Sequence, residues 1–70
     1  MDRTSVQSSA FVSVGYDTAA RVLEVEFTSG GVYRYLDVPA EVHDAFVDAP
    51  SLRQYFRVSI LDRYRYERVA

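Results

Sequence analysis

The side chains best suited to bind a ligand in this sequence are alternating tyrosines and arginines. They occur as Tyr33-Arg34-Tyr35 and again as Arg63-Tyr64-Arg65-Tyr66, in a chain that holds six tyrosines among 70 residues. Unpaired bases stack on aromatic rings, and guanidinium groups hold the phosphates that join them. The pattern therefore predicts a site for RNA or single-stranded nucleic acid. In this prediction Arg57, Arg63 and Arg65 contact phosphates, and Tyr64 and Tyr66 stack on bases. Arg34 would extend the surface across the sheet if its face is open.

Tyrosines can equally serve the fold, because the ring packs in the core while the hydroxyl reaches water or a carbonyl. The strand pairing predicted below turns Tyr33 and Tyr35 toward the helices, which favours a core position for those two. For Tyr64 and Tyr66 both roles remain open.

The remaining residues give little indication of a catalytic or metal site. The one histidine, His43, falls off the apolar stripe of its predicted helix and has no obvious partner, so we interpret it as solvated. Glu41, His43 and Asp44 are too close in sequence to converge on a metal from one helix face, and the chain has no cysteine. The doublet Gly30-Gly31 is too short to cradle a phosphate. We therefore expect no enzymatic activity, no metal and no cofactor.

Charge is distributed unevenly along the chain. Residues 1–50 carry three arginines and eight acidic residues, whereas residues 51–70 carry five arginines and two acidic residues. A basic segment of this kind attracts phosphate or an acidic partner. It can also face the acidic part of the same molecule, and the sequence does not separate these alternatives.

The chain length and composition indicate one domain that spans residues 1–70. The absence of cysteine favours a reducing compartment. No stretch has the apolar length of a signal peptide or of a membrane span, so we expect a cytoplasmic protein without a membrane partner.

Three strands are predicted in the first half of the chain. Residues 10–16 are rich in β-branched and aromatic side chains, and residues 21–28 alternate with Leu23, Val25 and Phe27 on one face. Residues 32–36 form the third strand after a glycine-containing turn. A three-residue loop at positions 29–31 would place Glu26 opposite Arg34 and keep the apolar side chains on one face.

Two helices follow the strands. Pro39 suits a first helical turn, with Asp37 or Val38 as the cap, and an apolar stripe anchored by Phe46 runs to Pro50. Ser51-Leu52-Arg53-Gln54 has a capping-box pattern and predicts a second helix from Ser51 to about Leu61. Residues 62–70 are either a short extended segment on the domain or a loose end. The predicted fold is α+β, a three-stranded antiparallel meander with two helices on one face and a short extended tail.

Several short motifs, taken together, resemble those of the KTSC domain family. They are Ser8-Ser9, Val14-Gly15-Tyr16-Asp17, Leu23-x-Val25-x-Phe27-x-x-Gly30, Val32-Tyr33-Arg34-Tyr35-x-x-Val38-Pro39, Ala49-x-Ser51, Tyr55-Phe56, Ile60 and Tyr64-x-Tyr66. The family's hallmark is a central Tyr-x-Tyr, here Tyr33 and Tyr35. Its members occur at the C-terminus of some lysyl-tRNA synthetases and as stand-alone proteins of bacteria and phages. One departure is Leu52-Arg53, where the family often has a glycine. The resemblance implies RNA as a possible ligand and supplies no catalytic residues.

Two functions are consistent with these observations. The first is a non-enzymatic module that binds RNA or single-stranded nucleic acid. The second is a module for protein interaction or self-association, which would use the sheet edge and the basic tail. Nucleic-acid binding predicts that Tyr64 and Tyr66 are exposed beside arginines, whereas docking predicts that they are buried.

Overall fold

Five strands form one antiparallel sheet, and two helices cover one of its faces. The computed structural model describes residues 1–70. The elements are β1 (Arg3–Ser5), β2 (Phe11–Asp17), β3 (Val22–Phe27), β4 (Val32–Tyr35), α1 (Ala40–Asp48), α2 (Leu52–Ser59) and β5 (Tyr66–Arg68). The strand order in the sheet is β1-β2-β3-β4-β5. The predicted α+β class is confirmed, with two strands more than the predicted three. No helix has the length and apolar character that a membrane crossing requires.

The two additional strands are the sheet edges β1 and β5. Each has three residues, all exposed, so neither carries the apolar alternation by which a strand is recognised in sequence. Backbone pairing holds β5 in place, since Leu36 N donates to Arg65 O (2.8 Å) and Val69 N donates to Val32 O (2.8 Å). The tail is therefore the extended segment of the two predicted alternatives.

The β3–β4 hairpin pairs two residues away from the predicted register. Arg34 lies opposite Glu24, where Glu26 was predicted, and Tyr33 lies opposite Val25. Phe27 N donates to Gly31 O (3.1 Å), so the three-residue loop is at positions 28–30. Gly30 and Gly31 both have φ of +97°, which favours glycine. Because the shift is an even number of residues, every side chain keeps its predicted face.

The core lies between the helices and the inner face of the sheet. A bulge between Phe11 and Ser13 exposes Val12 and turns both Phe11 and Val14 inward. The rings of Phe46 on α1 and Phe56 on α2 meet the Phe11 ring edge-on, at 5.4 and 5.1 Å between centroids. Phe46 is fully buried, as its place on the predicted stripe indicated.

The two helices begin differently. At α2, Ser51 Oγ accepts a hydrogen bond from Gln54 N (3.2 Å), which confirms the predicted cap. At α1 the cap position is Pro39, with no side-chain hydrogen bond, so the prediction of Asp37 or Val38 is wrong. Asp37 adopts a positive φ of 58°, and Val38 is buried. The turn into α1 is thus held by packing of Val38 and by the bond from Val38 N to Arg21 O (2.9 Å).

Candidate nucleic-acid interface

Three tyrosines gather on the inner face of the sheet where β4 meets β5. Tyr35 lies opposite Tyr66, and their ring centroids are 5.4 Å apart. The Tyr33 ring is 5.8 Å from that of Tyr66. With Phe27, Ser29 and Gly30 these residues line an open depression of about 270 Å³, which we call the tyrosine cleft. Tyr66 is 56% exposed, so its ring is available for stacking.

Arg68 supplies a positive charge at the cleft. It lies opposite Tyr33 in the β4–β5 pairing, and its guanidinium carbon is 5.8 Å from the centre of the Tyr33 ring. Its Nε donates to Ala70 O (2.9 Å). Sequence analysis missed Arg68 as a site residue, because only the pairing of β5 brings it beside Tyr33.

The hydroxyl of Tyr35 makes no hydrogen bond within the protein, although the residue is only 3% exposed. No fully buried side-chain oxygen lacks a partner, so this hydroxyl keeps contact with solvent. Burial, reinforced by Tyr66, Tyr33 and Asp62, raises the pKa of Tyr35 to about 12. At neutral pH the hydroxyl is therefore protonated and can both donate and accept a hydrogen bond.

The predicted tail residues separate into exposed and packed groups. Arg63 and Arg65 are exposed, whereas Tyr64 is half-buried and packs against the core. Arg57 is exposed on α2 and lines a shallow depression with Arg53, apart from the tyrosine cleft. None of the arginines in residues 51–70 makes an ion pair within 4.0 Å. The basic tail is thus not neutralised by direct ion pairs with the acidic part of the chain.

Arg34 lies on the opposite, outer face of the sheet. There the register aligns one residue of each strand in a transverse row of Arg3, Gly15, Glu24, Arg34 and Glu67. Arg34 Nε donates to Glu24 Oε1 (2.8 Å), and that hydrogen bond and the carboxylate charge raise the pKa of Arg34 further. The structure therefore does not bring Arg34 together with Tyr66, and the prediction that it extends the same surface is corrected.

Glu24 is the centre of this row. Its side chain is only 8% exposed, and Arg3 Nε approaches its other oxygen at 3.4 Å. Gly15 makes the approach possible, since a Cβ there would lie 2.6 Å from the backbone oxygen of Asp2 and 2.9 Å from Arg3 Cγ. Arg3 Nη2 also lies 3.9 Å from Glu26 Oε1, so this face carries two arginines and three glutamates.

His43 is not the solvated side chain that was predicted. Its ring stacks on that of Tyr16, with centroids 4.8 Å apart and planes at 14°. His43 Nδ1 lies 3.2 Å from Asp44 Oδ1, and the Tyr16 hydroxyl donates to Val38 O. His43 therefore packs α1 onto β2, a contact that its place off the apolar stripe did not reveal. No group of three or more His, Cys, Asp or Glu side chains is positioned to share a metal ion.

Comparisons with known proteins agree with the resemblance seen in the motifs. The KTSC domain model matches residues 7–64. An uncharacterized protein of Stutzerimonas stutzeri is 47% identical over 70 residues, which cover 99% of each chain. A lysine–tRNA ligase of Trichormus variabilis is 38% identical over 55 residues, which cover 79% of this chain and 10% of the ligase.

A crystal structure shows the same fold. The KTSC domain protein from Yersinia pestis superimposes with a TM-score of 0.96 and 35% sequence identity, over 99% of this chain and 97% of that one. The family match extends over most of the chain, from the β1–β2 connection to Tyr64, and the structural match also includes both edge strands. The chain belongs to the KTSC domain family.

Proposed function

We propose that this KTSC domain is a non-enzymatic module that binds single-stranded nucleic acid, RNA in particular, through the tyrosine cleft. The observation that carries the proposal is Tyr66, a largely exposed ring on the same face as Tyr33 and Arg68. An exposed aromatic ring beside a guanidinium is the arrangement on which an unpaired base stacks while its phosphate is held. Arg63 and Arg65, exposed just before β5, supply further phosphate contacts.

Charge favours the inner face as the binding face. On the outer face Arg3 and Arg34 both pair with Glu24, and Glu67 lies opposite Arg34. The outer row therefore offers phosphate little attraction. Five of the six arginines without an ion pair lie instead in residues 51–70, and the sixth, Arg21, lies in the turn between β2 and β3. A nucleic acid would therefore approach the β4–β5 end of the inner face.

The number of arginines limits the salt dependence of binding. If Arg63, Arg65 and Arg68 each neutralise one phosphate, the logarithm of the binding constant falls with a slope of about −2 against the logarithm of salt concentration. This is a weak electrostatic contribution, consistent with a net charge of −2. Stacking on Tyr66 must supply the rest, about 1 to 3 kcal/mol per base.

Similarity to segments of lysine–tRNA ligases favours RNA over DNA as the proposed ligand. Segments of lysine–tRNA ligases are similar to this chain, and the name of those enzymes gives tRNA as their substrate. Each segment is about a tenth of the ligase, as expected for an accessory module. Such a role would be exercised in the cytoplasm.

A fluorescence-anisotropy titration tests the proposal. The protein is titrated into labelled tRNA and into a mixed-sequence single-stranded RNA, at low and at physiological salt. Saturable, salt-sensitive binding is expected, and Tyr66→Ala and the double variant Arg63→Ala/Arg65→Ala should each weaken it. Arg34→Ala is the matched control, because it removes an arginine from the other face. Absence of binding at about 100 µM protein in low salt would refute the proposal.

The exposed edges of the sheet favour protein interaction or self-association as the second candidate. β1 and β5 each leave one side of a strand unpaired, and β5 carries the basic tail. The exposure of Tyr66 counts against docking through the tail, whereas the partial burial of Tyr64 fits it. Sedimentation of the protein over a concentration series would show whether copies associate.

A further inference from the structure

We infer that the tyrosine cleft accepts one unpaired base edge-first and distinguishes bases through the hydroxyl of Tyr35. The inference rests on the proposed function and goes further, because stacking and phosphate contacts alone bind every base alike. A polar group that meets the edge of the base is what allows discrimination.

The size and lining of the cleft fit a single base. Its volume of about 270 Å³ is below the range of roughly 300 to 1,000 Å³ typical of sites for drug-sized ligands. Three tyrosine rings and Phe27 supply its apolar walls. Gly30 forms part of the rim, and no atom lies within 4 Å of where its Cβ would be, so access from the hairpin side is open.

Tyr35 is the most deeply buried of the residues with a polar side chain that line the cleft. The ring is fixed by β4 and by Phe56, whose centroid is 5.3 Å away at an interplanar angle of 85°. Its hydroxyl has no partner in the protein, yet it retains solvent contact. A hydroxyl held at a fixed position discriminates between bases, because a base that presents neither a donor nor an acceptor at that position leaves the hydroxyl without a partner once solvent is excluded.

The other tyrosines fit this role less well, and Tyr33, which also lines the cleft, is only half-buried, so that water can replace a partner there. Tyr16 already donates its hydroxyl to Val38 O. Tyr66 is too exposed to lose a hydrogen bond on binding, since water can replace any partner that a base fails to offer. Selectivity is therefore assigned to Tyr35, and general affinity to Tyr66 and Arg68.

The test compares the four homo-oligomeric RNA hexamers (A, C, G and U) in anisotropy titrations at one low salt concentration. The variants are Tyr35→Phe, which keeps the ring, and Tyr55→Phe as the matched control. Tyr55 is a half-buried tyrosine of α2 that stacks on Phe46 and does not line the cleft. Thermal unfolding of each variant establishes that it is folded.

The wild-type protein is expected to bind its best hexamer about three- to tenfold more tightly than its worst, the factor that one hydrogen bond supplies. Tyr35→Phe should remove that preference and leave the salt dependence unchanged, while Tyr55→Phe keeps both. Equal affinity of the wild-type protein for all four hexamers, or a preference that survives Tyr35→Phe, overturns the inference and leaves the proposed function standing. Binding of none of the hexamers overturns both.

Discussion

Gly15 is the position where one added methyl group should do most damage to the fold. In Gly15→Ala the new Cβ would lie 2.6 Å from the backbone oxygen of Asp2. An unstrained contact of this kind needs about 3.3 Å or more, so β1 must move outward by several tenths of an ångström. Backbone cannot yield as a flexible side chain does, and the pairing of β1 with β2 extends over three residue pairs only. We therefore expect β1 to detach at its Arg3 end.

The cost has two parts. Overpacking at a close contact costs about 1 to 3 kcal/mol. Loss of the contact from Arg3 also leaves the nearly buried Glu24 with one guanidinium in place of two, which adds about 1 kcal/mol. The sum of about 2 to 4 kcal/mol corresponds to a fall in Tm of about 10 to 25 °C for a domain of this size.

Urea unfolding followed by circular dichroism measures that loss, and native-state hydrogen exchange locates it. Amides of β1 should lose protection while those of β3 and β4 retain it, up to the reduced global stability. The matched control is Gly30→Ala, whose Cβ meets nothing within 4 Å but whose φ is +97°. It should cost about 1 to 2 kcal/mol from backbone strain alone, without selective exposure of β1. A free energy of unfolding for Gly15→Ala within about 0.5 kcal/mol of wild type would refute the reasoning.

Three further outcomes follow from the structure. Tyr35 has its pKa raised to about 12 in the folded protein, so the folded state holds its proton more tightly than the unfolded state, whose tyrosines have a pKa of about 10. The free energy of unfolding should therefore fall by about 1 to 2 kcal/mol as pH rises from about 10 to 12. Urea titrations at each pH measure this fall, and Tyr35→Phe should reduce it. An unchanged fall in the variant would contradict the assignment to Tyr35. Glu24→Gln should lower the free energy of unfolding by about 1 to 3 kcal/mol because it removes the charge between two guanidiniums, whereas Glu67→Gln, exposed on the same row, should change it by less than about 0.5 kcal/mol. Ser51→Ala should lower the free energy of unfolding by about 1 kcal/mol in thermal unfolding, because α2 loses its cap. The control is Ser29→Ala, which should be neutral because Ser29 is exposed and makes no side-chain hydrogen bond. Equal effects of the two substitutions would exclude the cap as the cause.

The central strands and both helices could be predicted from the sequence, because each buries one face and so has a periodic pattern of apolar residues. Phe46 and Ser51 are examples, since an apolar stripe marks the first and a capping pattern the second. The edge strands could not be predicted in this way. β1 and β5 owe their conformation to backbone pairing with β2 and β4, and their exposed side chains carry no alternation.

The hairpin register was missed because charge pairing alone does not determine it. Both Glu24 and Glu26 can face Arg34 when the register moves by two residues, and the side chains face the same way in either case. The residues of the tyrosine cleft could likewise be predicted only in part before the strand pairing was known. Tyr66 was found from composition, whereas Arg68 became visible only once β5 was seen to pair with β4, and that same register sends Arg34 to the other face.

Mapping the binding face by NMR tests the central claim most directly. A titration of ¹⁵N-labelled protein with a short single-stranded RNA at low salt should shift the amide resonances of Gly30, Tyr33, Tyr66 and Arg68. Resonances of the outer row around Glu24 should stay unchanged. Shifts confined to α2 or to the outer face, or no shifts at millimolar RNA, would contradict the assignment of the tyrosine cleft as the nucleic-acid site.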